Sequence, residues 1–186
     1  MGRLIYGVLG SLEGYVNDAG GGFDWAMPDS EVHRFVNDQE RSIGTHLYGR
    51  RLYEVMQAWE TIPTEDEGDP AMQDYARIWQ GSDKIVFSST LTEVSSARTR
   101  IEPRFDPDTV RALKAEAAAD LGIGGPELAA HALRAGLVDE CWILVSPVIV
   151  GGGQRWLPDD LRVDLELMDE HRFGNGVVQL RYRVRG

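Results

Sequence analysis

The hydrophobic positions along the chain fall into two patterns, continuous runs of strand length and stripes with helical spacing. The segment RLIYGVLGSL (3–12) is an almost unbroken apolar run, typical of a central strand that is covered on both faces. The segment ECWILVSPVIV (140–150) has the same character. Shorter apolar segments predict strands that end at Tyr48 and near residues 89 and 125. Together these runs predict a buried, mostly parallel sheet.

Helical periodicity fills the intervals between the predicted strands. Apolar residues recur every three or four positions in five stretches, which predicts helices over 28–41, from Gly49 to Trp59, around Met72 to Trp79, over 106–119 and over 126–135. Pro28 suits a first helical turn, and Asp106 followed by Pro107 suits an N-cap and first helical position. Gly136 is a typical helix end.

The C-terminal part of the chain alternates with a period of two. Two sets of apolar residues each share one strand face: Leu161, Val163, Leu165 and Leu167, then Val178, Leu180, Tyr182 and Val184. The turn signal GNG (174–176) precedes the second set, which predicts an antiparallel pair. Strands that alternate with helices and finish in a hairpin predict one α/β domain, over residues 1–186, with a mostly parallel sheet and an antiparallel edge.

Charge and composition exclude several classes of function. The 186 residues carry 30 acidic and 19 basic side chains, a formal net charge of −11, which argues against binding to nucleic acid or to an anionic membrane. No apolar run approaches the roughly 20 residues of a membrane helix, and no signal peptide is recognisable. The single Cys141 excludes an internal disulfide, so we expect a cytoplasmic protein. One cysteine and four isolated histidines also provide no zinc-deaminase pattern, and we expect no metal site.

Candidate chemistry lies where three predicted strands end. The segments GRR (49–51), SST (88–90) and GG (124–125) each follow a strand, and the first and third open a helix. Helix N-termini at the carboxyl ends of strands offer unpaired N–H groups and partial positive charge. Together these segments suit a dinucleotide, with hydroxyls and an arginine for a ribose 2′-phosphate.

Ordinary structural roles explain each of these segments equally well. A glycine pair before a helix is commonly a loop accommodation, and a run of hydroxyl residues after a strand is commonly a turn. The arginine pair opposes the helix dipole at a cost of a few tenths of a kcal/mol. Neither the Rossmann nor the P-loop glycine pattern is present, and GGGQRW (151–156) leads into a proline-containing loop. Spacing alone therefore leaves nucleotide binding open.

The order and wording of the motifs resemble a known family. The series SLEGYV, GRRLYE, KIVFSSTL, GIGGPELAAHALRAGLVDE and PVIVGGG is similar to the dihydrofolate-reductase-like superfamily. It most resembles stand-alone relatives of the reductase domain of the bifunctional riboflavin-biosynthesis deaminase–reductase, from residue 3 to about residue 184. The resemblance implies a three-layer sandwich around a mostly parallel eight-stranded sheet, and NADPH as cofactor.

The resemblance also implies roles for individual residues. The cofactor-binding set would be Leu9 and Val16 at the nicotinamide, Gly49, Arg50, Arg51 and Leu52 at the adenosine-side phosphates, Ser88 and Ser89 at the ribose, and Gly124, Gly125, Pro126, Glu127 and Leu128 at the pyrophosphate. Arg50 would meet the 2′-phosphate. The substrate side would be lined by Val8, Trp25 and Ser30.

Three departures from the family pattern concern the cofactor. Leu52 stands where the family usually has a threonine hydroxyl, so one phosphate contact is lost. Pro126 and Glu127 replace a glycine and, in many dihydrofolate reductases, an arginine. We therefore expect weaker pyrophosphate binding.

A further departure concerns the substrate. Dihydrofolate reductases have a tryptophan followed three residues later by proline and five later by the catalytic carboxylate. Trp25 and Pro28 keep this spacing, but the fifth position is Ser30. Asp29 and Glu31 flank it, each rotated by about 100° on a helix. The candidate catalytic residues are these three, and dihydrofolate is disfavoured as substrate.

The resulting expectation is an NADPH-dependent reductase of a small pyrimidine- or pterin-like heterocycle. A riboflavin-pathway reductase of 5-amino-6-(5-phosphoribosylamino)uracil is the first possibility, and dihydrofolate reductase proper is the second. Arg98, Arg100 and Arg104 could hold a substrate phosphate or form a solvated edge. The alternative is a catalytically silent domain that binds a nucleotide or a partner protein. Relatives are often dimers, and the helix with Tyr75 and Trp79 could form an interface or pack into the core.

Overall fold

The computed structural model describes residues 1–65 and 68–185 and contains one eight-stranded sheet. The strand order is β4-β3-β2-β5-β1-β6-β8-β7, and the first six strands in that order are mutually parallel. Both β6–β8 and β8–β7 are antiparallel pairs. The strands are β1 (Leu4–Ser11), β2 (Ile43–Gly49), β3 (Asp83–Phe87), β4 (Thr99–Glu102), β5 (Asp120–Gly124), β6 (Glu140–Ser146), β7 (Leu165–Arg172) and β8 (Val178–Val184). The predicted mostly parallel α/β fold is confirmed.

Helices cover both faces of this sheet. The α-helices are α1 (Ser30–Glu40), α2 (Arg50–Met56), α3 (Pro70–Gly81), α4 (Pro107–Glu116) and α5 (Pro126–Arg134), and short 3-10 helices span Asp24–Ala26 and Gln57–Glu60. On one face, Val110 of α4 and Leu128 of α5 pack with Leu47 in the largest core cluster. On the other face, α1, α2 and α3 cover the sheet with separate clusters, so the molecule has three layers.

Several predicted elements differ from the observed ones at their ends. Pro28 lies before α1 and not in its first turn, because Asp29 caps a helix that begins at Ser30. The strand expected from Leu161 begins at Leu165 and continues to Arg172. The pattern did not predict β4, because this edge strand is short, polar and joined to the sheet through backbone pairing with β3.

The aromatic face of α3 belongs to the core. Trp79 is fully buried, and its indole Nε1 donates to the Tyr48 hydroxyl at 3.2 Å. Tyr75 packs against the same cluster and lies edge-on to Trp59 at 4.6 Å between ring centres. These contacts correspond to the packing alternative for α3, and a homodimer stays a prediction. None of the helices in residues 1–65 and 68–185 has the length and hydrophobicity of a membrane span.

Candidate cofactor and substrate site

The three strand ends with candidate chemistry lie side by side. β2 pairs with β3 on one side and with β5 on the other, all parallel. Gly49 is opposite Phe87, and Tyr48 is opposite Gly124. Parallel pairing therefore aligns the three carboxyl ends at one edge of the sheet, as the spacing predicted. Their part in ligand binding stays a prediction.

The two helices that start at this edge lack the side-chain caps of the other helices. Asp29, Asp69 and Asp106 accept backbone N–H groups at the starts of α1, α3 and α4. The N-caps of α2 and α5 are Gly49 and Gly125, and neither has a side-chain capping hydrogen bond. A Cβ added to Gly125 would lie 4.0 Å from the Gly49 nitrogen, so the two N-termini are adjacent. Their unpaired N–H groups concentrate partial positive charge at one place.

Charged side chains surround these two helix starts. Arg50 donates from Nη1 to the Thr90 hydroxyl at 2.9 Å and from Nε to Glu54 at 2.7 Å. Its guanidinium thereby lies beside the end of β3. Arg51 is mostly exposed, and its Nη1 lies 3.9 Å from Oε1 of Glu127 in the first turn of α5. Glu127 brings a negative charge to a site whose other features favour an anion.

The hydroxyl residues after β3 form a turn. Ser88 donates its backbone N–H to the Glu102 carbonyl at 2.9 Å. Its Oγ accepts the N–H groups of Thr90 at 3.2 Å and Leu91 at 3.0 Å. Ser89 is exposed. Ser88 therefore has a local role in the turn, and its hydroxyl also lies 3.5 Å from the Thr90 hydroxyl, which accepts from Arg50.

Beneath these strand ends, a cavity of about 320 Å³ opens between the sheet and helices α1, α2 and α3. Its floor comprises one face of β1, β2, β5 and β6, where Gly7 and Gly122 leave room. A Cβ added to Gly7 would meet no atom within 4 Å, so this central-strand residue borders open space. Aromatic side chains, among them Trp59, Tyr75 and Trp142, form much of the wall. The cavity has the aromatic and apolar lining that is typical of a site for a flat ligand.

A carboxyl group and an imidazole lie together in this cavity. Oε2 of Glu40, at the end of α1, lies 3.8 Å from Nε2 of His46 on β2. Burial raises the pKa of Glu40 to about 7. Burial, with a smaller effect of Lys84, lowers the pKa of His46 to about 3. His46 is therefore neutral near pH 7, and its Nε2 has no hydrogen-bond partner among the described residues.

Other polar groups line the same cavity. Gln39 of α1 and Gln179 of β8 exchange amide hydrogen bonds at 2.9 and 2.5 Å, so they satisfy each other. His33 packs between Trp59 and Tyr75, with ring centres 5.8 and 5.7 Å away. Burial lowers the pKa of His33, and its Nδ1 has no partner among the described residues. Two orphaned imidazole nitrogens thus lie on the cavity wall.

The candidate catalytic residues at the start of α1 have other contacts. Asp29 caps α1 through the N–H groups of Glu31 and Val32 at 3.1 and 2.9 Å. Glu31 accepts the Gly174 N–H at 3.0 Å, and Ser30 is exposed, with its Oγ 3.4 Å from Asp69. None of the three belongs to the cavity lining. The first turn of α1 presents them to neighbouring loops, and their catalytic role stays a prediction.

The remaining predicted substrate and nicotinamide residues divide into two groups. Val8 and Leu9, near the end of β1, line the cavity, and their contacts with substrate and nicotinamide stay predictions. Trp25 lies outside the lining, and its Nε1 donates to the Gly22 carbonyl at 3.2 Å, so its substrate contact stays a prediction. Val16 also lies outside the lining. Its N–H donates to the Gln154 carbonyl, which holds the loop around Val16 against residues 151–156.

Leu52, Pro126 and Leu128 occupy hydrophobic positions near the strand ends. Leu52 lines the cavity and packs over the β5 end, since a Cβ added to Gly124 would lie 2.5 Å from its Cδ2. Pro126 is the first residue of α5 and has no N–H to offer. Leu128 is buried in the core, so it can contribute a backbone N–H but not its side chain.

Sequence reasoning missed the cavity groups Glu40, His46, His33 and Gln39. A signal was present, because the apolar stripe of α1 through Val32 continues with helical spacing to residues 36, 39 and 40. His46 likewise alternates with Tyr48 on β2. No group of three or more potential metal ligands occurs in the part of the chain that the structure describes.

Comparison with known proteins agrees with this geometry. The family model described as RibD C-terminal domain matches residues 3–179. The protein YyaP of Bacillus subtilis (strain 168), described as uncharacterized, is 28% identical over 188 residues, which cover 99% of this chain and 96% of YyaP.

Two solved structures show the same fold. A putative riboflavin biosynthesis protein from Shewanella sp. PV-4 superimposes with a TM-score of 0.76 at 18% identity, covering 99% of both chains. A dihydrofolate reductase from Enterococcus faecalis, solved in complex with NADP(H) and RAB-propyl, gives a TM-score of 0.64 at 13% identity, covering 99% of this chain and 97% of that one.

Proposed function

The chain belongs to the RibD C-terminal domain family, and we propose on this basis that it is an NADPH-dependent reductase of a small pyrimidine- or pterin-like heterocycle. One observation carries the proposal. Two adjacent glycine-capped helix starts without side-chain caps lie over three aligned strand ends, directly beside a cavity suited to flat rings. Such an arrangement favours a phosphorylated ligand with a ring that enters the cavity.

The residues at the strand ends fit this cofactor. The backbone N–H groups at the starts of α2 and α5 would hold the pyrophosphate, and Gly125, at φ +90°, keeps the approach free of a side chain. Arg50, fixed beside Thr90, would contact the 2′-phosphate of the ribose. Leu9 and the glycine floor of the cavity would contact the nicotinamide.

When bound, NADPH supplies a hydride to an electrophilic ring carbon. The chain's own residues bind the two rings, hold them in register and exclude water. The aromatic and aliphatic walls around Trp59, Tyr75 and Trp142 suit this task, because they contact ring faces without competing hydrogen bonds. Positioning of this kind is a large part of the rate enhancement that a protein gives to hydride transfer.

A cofactor titration tests the proposal directly. NADPH binding is followed by nicotinamide fluorescence, with NADH as the comparison. Arg50→Ala should weaken NADPH binding by about tenfold or more and leave NADH binding nearly unchanged, because only NADPH carries the 2′-phosphate. Arg51→Ala is the comparison variant: Arg51 has only a 3.9 Å contact with Glu127, and a contact with phosphates that both cofactors share would weaken NADPH and NADH binding alike.

Three results would contradict parts of this assignment. Absence of NADPH binding at millimolar concentrations would reject the cofactor. Equal losses for NADPH and NADH in Arg50→Ala would reject the 2′-phosphate contact. Tight binding without turnover of pyrimidines, pterins or quinones would favour the catalytically silent alternative.

A further inference from the structure

The cavity is almost without charge. Among the described residues that line it, none is lysine or arginine, and Glu40 is the carboxylate. A phosphate group buried in such surroundings would lose its hydration without gaining a cation, which disfavours its binding there. Glu40 adds the same sign of charge whenever it ionises. The cavity is therefore unsuited to a ligand whose phosphate lies inside it.

The arginines that could have supplied a phosphate site lie elsewhere. Arg100 is on β4, and Arg98 immediately precedes it. Arg98 pairs with Asp83 at 2.9 Å, and Arg100 pairs with Glu102 at 3.2 Å. β4 is the edge strand beyond β3, whereas the cavity floor comprises β2, β5, β1 and β6. The paired arginines correspond to the solvated-edge alternative.

The inner end of the cavity is polar, because it contains the Glu40 carboxyl group and a buried imidazole nitrogen without a partner among the described residues. Nε2 of His46 is buried and unpaired, 3.8 Å from Oε2 of Glu40. His46 is opposite Gly122 on β5, two residue pairs before the Gly124 strand end. These two side chains therefore lie toward the interior from the helix starts. Buried polar atoms are rarely left unsatisfied, so the orphaned nitrogen points to a ligand atom.

We propose that the cavity binds a flat heterocycle without a phosphate group, whose polar edge contacts Glu40 and His46. This inference rests on the proposed reductase function and specifies its substrate class. A neutral imidazole nitrogen accepts an N–H, and a carboxyl group can donate or accept, so the pair suits an edge with adjacent ring and amino nitrogens. The volume of about 320 Å³ lies at the small end for ligand sites, so a heterocycle that shares the cavity with the nicotinamide has to be compact.

A matched pair of ligands tests the inference. The probes are 5-amino-6-ribosylaminouracil and its 5′-phosphate, with a dihydropterin that has no side chain as a third compound. Binding is followed by fluorescence of the cavity residues Trp59 and Trp142, with and without NADP⁺. We expect the dihydropterin or the riboside to bind at least about tenfold more tightly than the phosphate.

Two variants locate the binding determinants. Glu40→Gln should weaken binding of the dihydropterin by about tenfold, because an amide cannot reproduce both protonation states of the carboxyl group. Glu116→Gln, at the exposed end of α4, is the control. Met56→Arg adds a cation to the cavity wall and should selectively strengthen binding of the phosphorylated compound.

The outcomes separate this inference from the proposed function. Equal or tighter binding of the phosphorylated compound to the wild-type protein would overturn the inference, as would no binding of any probe at millimolar concentration. Unchanged dihydropterin affinity in Glu40→Gln would remove Glu40 from the site. If the unphosphorylated compounds bind but NADPH does not, the substrate class survives and the reductase assignment fails.

Discussion

Nη1 of Arg51 lies 3.9 Å from Oε1 of Glu127 and connects the first turn of α2 to the first turn of α5. The contact places an acidic side chain next to the two helix starts that lack side-chain caps. Both partners are largely exposed, so the ion pair itself contributes little stability. Its importance is for ligand binding, because Glu127 opposes an incoming anion while Arg51 favours one.

Removing the Glu127 charge should therefore strengthen cofactor binding. We expect Glu127→Gln to tighten NADPH and NADH binding alike, by about threefold, because the pyrophosphate is common to both. Isothermal titration at low salt measures the change, and added salt should reduce it. Glu116→Gln at the end of α4 is the control, and an unchanged or weaker affinity in Glu127→Gln would place the pyrophosphate elsewhere.

Asp29 should act as a helix cap and not as a proton donor. Asp29→Ala removes the acceptor for two N–H groups of α1 and should cost about 1 kcal/mol in the free energy of unfolding. Asp29→Asn keeps a capping oxygen, so the free energy of unfolding should stay close to that of the wild type. The rate of substrate reduction should also stay within about twofold of the wild-type rate. Urea denaturation and NADPH oxidation measure the two effects. A stable Asp29→Asn protein without activity would restore the catalytic role.

The Glu40 carboxyl group should make stability depend on pH. Its pKa is raised by burial from 4.5 to about 7, so the folded protein holds a proton that the unfolded chain has released between those values. Stability should accordingly fall as pH rises from about 4.5 to 7. Glu40→Gln lacks this loss, so its free energy of unfolding should rise by up to about 3 kcal/mol relative to that of the wild type as the pH increases across that window.

Urea denaturation at several pH values measures this difference. The groups that face Glu40 are His46 and Tyr48 from β2 and Tyr75 from α3, and all three remain in both proteins. The opposite pH trend of His46, whose pKa is lowered, therefore cancels in the comparison. If the difference in unfolding free energy between Glu40→Gln and the wild type stays constant from pH 5 to 8, Glu40 is already ionised in the folded protein.

Gly125 should be irreplaceable at the start of α5. Its φ of +90° and ψ of 123° strain any residue with a Cβ, so Gly125→Ala should cost about 1–3 kcal/mol and weaken NADPH binding. Gly49→Ala is the matched control, because its φ is −75° and an added Cβ would meet its nearest atom at 4.0 Å. Equal stability of the two variants in urea denaturation would contradict the strain argument.

Local sequence signals were sufficient for most elements of the fold. Continuous apolar runs located β1 and β6, and Asp106 with Pro107 located the start of α4. They were insufficient for β4, which is held by pairing with its neighbour and has no hydrophobic run of its own. The alternating apolar pattern also begins before the strand does. It starts at Leu161, which packs against the core, whereas β7 begins at Leu165.

The sequence by itself located the carboxyl ends of β2, β3 and β5, because glycine and hydroxyl residues end these apolar runs locally, and parallel strands then align their carboxyl ends. Only the tertiary structure decided which acidic side chain of α1 lies in the cavity. Each residue turns a helix by about 100°, so the orientation of the whole helix on the sheet directs Glu40 inward and leaves Asp29 and Glu31 to backbone amides. The same packing removes water from Glu40 and His46, and this desolvation shifts their pKa values in ways that no local pattern records.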